Sequence, residues 1–112
     1  MTYEYQMIVC VVNSGFSDTV MSAAREYGAK GGTVLNSRGT ANQEAETFFG
    51  ISIQPEKEVV LILVPSGIKD DILHAIYQKV GLATPGQGIA FTLPVENAVG
   101  LPSLGPNGEK GE

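Results

Sequence analysis

Two stretches of this chain, Met7-Ile8-Val9-Cys10-Val11-Val12 and Val59-Val60-Leu61-Ile62-Leu63-Val64, are apolar at every position. Their many β-branched residues favour extended backbone. In a strand, alternate side chains point to opposite faces of the sheet. A strand that is apolar at both parities therefore needs burial on both faces, and one layer of helices covers only one. Whatever fold the chain adopts must hold these segments as interior strands and cover them twice.

The rest of the chain supplies one helical layer. Tyr5 to Val12 reads as a strand that ends at Asn13-Ser14-Gly15. Ser17 or Asp18 is placed to cap the helix that follows, in which Val20, Met21, Ala24 and Tyr27 recur at helical spacing before Gly28 stops it. Gly32 to Ser37 reads as a second strand, and the polar stretch from Gly39 to Thr47 reads as an exposed loop. Phe48 to Gln54 and Glu58 to Val64 read as one long strand arm interrupted at Pro55-Glu56-Lys57. Asp70 to Val80 has Ile72, Leu73, Ile76 and Val80 on one side, with Ile68 just before it, and predicts a second helix. Ile89 to Leu93 closes the pattern as a strand. The order is β-α-β-β-α-β. This predicts an α+β, ferredoxin-like fold, an antiparallel sheet with two helices on one face. The second apolar face then falls to another copy of the chain, so a homo-oligomer with inward-facing sheets is expected.

Composition narrows the function. A chain of 112 residues forms one domain, expected over residues 1–100, followed by a flexible tail at 101–112 rich in Pro, Gly and charge. No apolar run approaches the roughly 18 residues of a membrane span, so no membrane insertion is expected. The start Met-Thr-Tyr-Glu-Tyr-Gln has no basic leader, and a cytoplasmic location is expected. The net charge of −5, without a Lys/Arg cluster, argues against nucleic acid as a partner. A single cysteine, Cys10, lies among aliphatic residues and reads as a buried structural thiol rather than a nucleophile. His74, on the polar side of the second helix with Asp70 four residues before it, reads as a solvated residue, since one His is too few to hold a metal. No Ser-His-Asp set, phosphate-loop motif or metal-ligand spacing is present, and the chain is not expected to be an enzyme.

Two glycine loops carry the binding signal. Thr84-Pro85-Gly86-Gln87-Gly88 reads either as a plain helix-to-strand turn or as a nest of backbone N–H groups converging on an anion. Ser37-Arg38-Gly39-Thr40 ends a strand with a guanidinium. Together they suggest a small-ligand site.

Several runs resemble the PII-type nitrogen-regulatory signalling proteins and their PII-like relatives. They are Gly31-Gly32-Thr33-Val34, Arg38-Gly39, Phe48 to Val64, Gly86-Gln87-Gly88 with Phe91, and Leu93-Pro94-Val95-Glu96-Asn97-Ala98. The resemblance implies a homotrimer of ferredoxin-like subunits acting in signal transduction, with an adenine nucleotide bound in inter-subunit clefts. It also implies a loop after the second strand that reports occupancy to a target, with a membrane transporter as the expected target and an enzyme as the other. It implies nucleotide-binding roles for Thr33 near the adenine, for Arg38 and Gly39 at the start of the signalling loop, and for Gly86, Gln87 and Gly88 as the phosphate loop.

The chain departs from that pattern where the family carries cations. Ile89 stands at a lysine of the phosphate loop, Gly100 and Pro102 stand at two arginines, and Glu56 stands at a lysine of the third strand, with Lys57 adjacent. Each charge-assisted phosphate contact contributes about 1.5–3 kcal/mol, so their loss weakens triphosphate binding. ADP, AMP, ATP and cyclic AMP all remain candidate effectors, with the less charged ones favoured. The rival reading is a structural or metal-binding trimer without nucleotide, resembling the CutA-like metal-tolerance proteins.

Overall fold

The computed structural model describes residues 3–40, 46–48, 51–53 and 56–100. Strand β1 (Tyr5–Asn13) leads to helix α1 (Ser17–Glu26) and strand β2 (Thr33–Arg38). Two short strands, β3 (Glu46–Phe48) and β4 (Ile51–Ile53), precede the long strand β5 (Glu56–Pro65). A 3-10 turn at Ser66–Ile68 then enters helix α2 (Lys69–Val80), and β6 (Ile89–Val95) completes the fold. The main sheet has the order β2-β5-β1-β6, with every neighbouring pair antiparallel. This is the expected α+β, ferredoxin-like plan. The two doubly apolar runs form its central strands.

Register shows how the sheet divides its side chains. Ile8 faces Ile62 and Thr92 across the ladders, and Cys10 faces Val60 and Ala90. Ile8, Cys10, Val12, Val60, Ile62 and Val64 are all at 0% exposure, packed against Val20, Met21, Ala23 and Ala24 of α1 and Ile72, Ala75, Ile76 and Val80 of α2. The opposite parity carries Met7, Val9 and Val11 of β1, Val59, Leu61 and Leu63 of β5, Leu35 of β2, and Ile89, Phe91 and Leu93 of β6. None of these ten residues is fully buried; Leu35, Ile89, Phe91 and Leu93 are 45–50% exposed. An apolar sheet face without a helical cover is therefore a property of the single subunit.

Three local expectations are corrected. Phe48 to Gln54 is not one strand arm: Glu46–Phe48 and Ile51–Ile53 pair with each other in a separate two-stranded ribbon, with Phe48 opposite Ile51. The same pairing takes Glu46 and Thr47 out of the expected loop, whose residues 41–45 lie outside the described residues, as does the tail expected at 101–112. Glu56 and Lys57, expected in an interruption, begin β5, opposite Arg38 and Ser37 of β2.

The start of α1 is capped by neither Ser17 nor Asp18. Glu58 of β5 reaches it instead, one carboxylate oxygen accepting from the N–H groups of Gly15 and Ser17, each at 3.1 Å. A carboxylate at a helix N-terminus satisfies orphan donors and opposes the positive end of the helix dipole. Because the cap comes from 41 residues further along the chain, it ties the helix directly to the sheet.

Replacing Glu58 with Ala should lower stability by about 1–2 kcal/mol, read as a reduced midpoint in urea, with Gln recovering part of the loss. Burial pushes the Cys10 thiol up from 9.0 to about 11. The folded state therefore holds this proton more tightly than the unfolded chain. The contribution is full below pH 9 and is lost as pH rises towards 11. Cys10→Ala should remove that part of the alkaline decline, and native Cys10 should react with a thiol probe at pH 8 only as fast as the fold opens.

Candidate functional site

Antiparallel pairing brings the end of β1, the end of β2, and the starts of β5 and β6 to one end of the sheet. There Ser37, Lys57 and Asn13 lie in a row across β2, β5 and β1. Beside that row is a cleft of about 360 Å³ lined by Val11, Asn13, Ser37, Arg38, Gly39, Thr40, Lys57, Leu82, Gln87 and Ile89. Arg38, Gly39 and Gln87, singled out from the sequence in two distant loops, thus meet in one place. Gly86 and Gly88 flank Gln87 and are buried behind it. Thr33 does not line this cleft: it sits five residues from Arg38 along β2, about 17 Å at the usual strand rise.

Asn13 organises the corner. Its backbone N–H donates to the Gly86 carbonyl at 2.9 Å, and its side-chain amide donates to the Pro85 carbonyl at 2.9 Å. Its Oδ1 accepts from Lys57 Nζ at 2.8 Å. One residue therefore fixes both the loop and the cation. The Lys57 stem passes beneath Gly39, where an added Cβ would meet Lys57 Cε at 2.9 Å. Neither Asn13 nor Lys57 was identified as a site residue from the sequence. Asn13 read as a turn former, and counting from Pro55 drew attention to Glu56. The register places Lys57 in the cleft and Glu56 opposite Arg38 on the outer ladder.

The Gly86–Gly88 loop is built differently from the open anion nest that its sequence suggested. Gly86 N–H points to Thr84 Oγ1 at 3.3 Å, Gln87 N–H donates to the Thr84 carbonyl at 3.0 Å, and Gly88 N–H donates to the Val80 carbonyl at 2.6 Å. All three amides are engaged within the loop and the end of α2. The glycines answer to packing: a Cβ at Gly86 would lie 2.9 Å from Val80 Cβ, and one at Gly88 would lie 2.7 Å from Val12 Cγ1. Gln87, not a glycine, takes the left-handed conformation, with φ of 47°. That backbone presents Gln87 to solvent while both neighbours are buried.

Electrostatics separate this cleft from a larger depression at the other end of the sheet. Among the described residues, the cleft at the Arg38 corner is lined by two cations, Arg38 and Lys57, and by no carboxylate. At the opposite end of the sheet, a larger space of about 610 Å³ is bordered by Tyr3, Glu4, Tyr5, Val95, Glu96, Asn97 and Ala98. With two carboxylates and no cation it is unsuited to an anion. Size alone therefore points to the wrong end of the sheet, and the charges of the lining residues decide for the smaller cleft. Among the described residues, no three His, Cys, Asp or Glu side chains stand together as metal ligands.

Comparison with known proteins agrees with this architecture. The family model described as nitrogen regulatory protein P-II matches residues 5–102. No curated protein matches the chain. Among solved structures, Arabidopsis thaliana PII bound to citrate aligns with a TM-score of 0.65 at 20% identity, covering 89% of this chain and 82% of the other. The B. subtilis GlnK–ATP complex aligns at 0.68 and 19% identity, covering 88% of each chain. B. subtilis GlnK without a named ligand aligns at 0.65 and 17% identity, covering 86% and 89%. At such identities the structures speak to the fold, whereas the family match runs through the central strands, the Arg38 corner and the Gly86–Gly88 loop. The chain belongs to the nitrogen regulatory protein P-II family.

Proposed function

We propose that this protein is a trimeric regulatory subunit that binds an adenine nucleotide at the Arg38 corner and passes its occupancy to a target protein. The observation that carries the reading is the convergence of Arg38, Gly39 and Gln87 with Lys57 in one cleft without a carboxylate among the described residues. A charge-assisted contact from each of these cations to a bound anion would contribute about 1.5–3 kcal/mol. Val11, Leu82 and Ile89 give the same cleft an apolar wall for a base or sugar. That B. subtilis GlnK binds ATP and A. thaliana PII binds citrate supports an anionic effector here.

The uncovered sheet face supports an oligomer, for which we propose a trimer. Ten apolar side chains on four strands form a continuous patch, and patches of that kind mark association surfaces. Packing three sheets inward buries it. It also sets the Arg38 corner of one subunit against its neighbour, so that the neighbouring chain completes the nucleotide site, with Thr33 further along β2 towards the base and Gly86 and Gly88 shaping the loop that carries Gln87. The segment after Arg38 leaves the cleft directly. Nucleotide binding is transmitted through the 39–47 segment or the tail after position 100, since a ligand shifts an equilibrium only through unequal affinity for the two states. The target is a membrane transporter or an enzyme that the segment contacts, and the protein itself acts in the cytoplasm without catalysing a reaction.

Arg38→Ala should weaken nucleotide binding at least about tenfold in calorimetry while leaving the oligomer intact. Unchanged affinity would remove Arg38 from the site. Leu61→Glu, at the centre of the open face, should reduce the mass in sedimentation from three times 11.8 kDa to that of the monomer. A trimer that survives this charge would mean that the sheets do not face inward.

A further inference from the structure

We infer that Asn13 is a positioning residue for the nucleotide site proposed above, and its role rests on that reading. It aims the Lys57 ammonium at the corner and fastens the Gly86–Gly88 loop to the same point. A neutral carboxamide is the group that does both without cancelling the cation.

Asn13 is itself held in place. Its N–H donates to the Gly86 carbonyl at 2.9 Å, and the next N–H, that of Ser14, donates to the Glu56 carbonyl at 3.1 Å. Across the ladder it pairs with Lys57. The backbone on which the side chain stands is therefore tied to β5 and to the loop before β6, and a one-carbon stem leaves the carboxamide little room to wander.

The two polar atoms of that carboxamide meet partners of opposite kind. Lys57 Nζ can only donate, and it lies 2.8 Å from Oδ1. The Pro85 carbonyl can only accept, and Nδ2 donates to it at 2.9 Å. The orientation of the amide is thus dictated by its neighbours. An aspartate would have no donor for Pro85, and an alanine would have neither group.

The same bond decides what Lys57 can offer a ligand. An ammonium has three donors, and Asn13 takes one. Because this acceptor is neutral, the bond fixes the direction of the head without cancelling its charge. The stem is fixed as well, since it runs beneath Gly39, where an added Cβ would come within 2.9 Å of Lys57 Cε. Glu58, the next residue, has its carboxylate on the N-terminus of α1. Ordering a long side chain during binding weakens affinity roughly two- to tenfold, and here folding has already ordered it. These contacts lie within one subunit, so they hold whatever groups a neighbouring chain adds to the site.

The test combines calorimetric titration with ATP, ADP and AMP and ¹⁵N-correlated NMR of the Lys57 ammonium. It compares the wild type with Asn13→Ala, Asn13→Asp, Lys57→Met and the double variant Asn13→Ala with Lys57→Met. The backbone bonds of position 13 survive all of these changes, so the fold is retained. Asn13→Ala should weaken binding of the tightest nucleotide about tenfold and erase the ammonium signal through faster proton exchange. In the Lys57→Met background the same change should weaken binding about threefold or less, because only the loop fastening is left to lose. Asn13→Asp should keep the ammonium signal yet weaken binding by more than about tenfold, since a carboxylate holds Lys57 and cancels its charge. Equal losses from Asn13→Ala with and without Lys57 would reduce Asn13 to a structural residue and leave the nucleotide reading standing. So would an Asn13→Asp protein that binds like the wild type. A folded oligomer that binds none of the three nucleotides would overturn the nucleotide reading itself, and the role of Asn13 with it.

Discussion

Side-chain alternation along β1 and β5 is the constraint from which the rest of the structure follows. Because successive residues point to opposite faces, a strand that is apolar throughout cannot be satisfied by one layer of helices. One parity, from Ile8 to Val12 and from Val60 to Val64, is fully enclosed by α1 and α2. The other parity makes the open face. A register slip of one residue would exchange the two sets, yet both are apolar, so hydrophobicity alone does not hold the pairing. The Glu58 cap on α1 does: only one register puts that carboxylate beneath Gly15 and Ser17.

The same register builds the binding corner. Lys57 is one residue before Glu58 and therefore on the opposite face, so the cap and the cation are presented to different sides of the sheet by adjacent positions. Glu58 holds the helical layer. Lys57, held by Asn13, stands at the edge of the face left for another subunit. The helical cap, the open apolar face and the Arg38 corner thus share one strand start, and a disturbance there is felt by all three.

Glycine loops in this fold serve two purposes that look alike in sequence. An open loop offers its amides to an anion. A closed loop uses its glycines to let backbone approach side chains. Gly86 and Gly88 are of the second kind, pressed against Val80 and Val12, with Thr84 occupying the amides from inside. The charge in this corner is then supplied by side chains from two other strands, Arg38 of β2 and Lys57 of β5, rather than by the loop amides.

The sequence by itself determined the element order, the two-sided central strands and hence the fold class, because periodicity and β-branching are local properties carried by each segment. It also marked Arg38, Gly39 and Gln87, since a cation or a polar residue beside glycine at a strand end is visible in one dimension. It misjudged Phe48 to Gln54, where strand-forming residues on both sides concealed the pairing of two short strands in a separate ribbon. Tertiary structure alone decided that Asn13 and Lys57 belong with Arg38, for these residues meet only through the ladder between distant strands. It alone decided, too, that the loop amides are engaged. Which donor finds which acceptor depends on where α2 ends against β1, and no spacing in the chain records that distance.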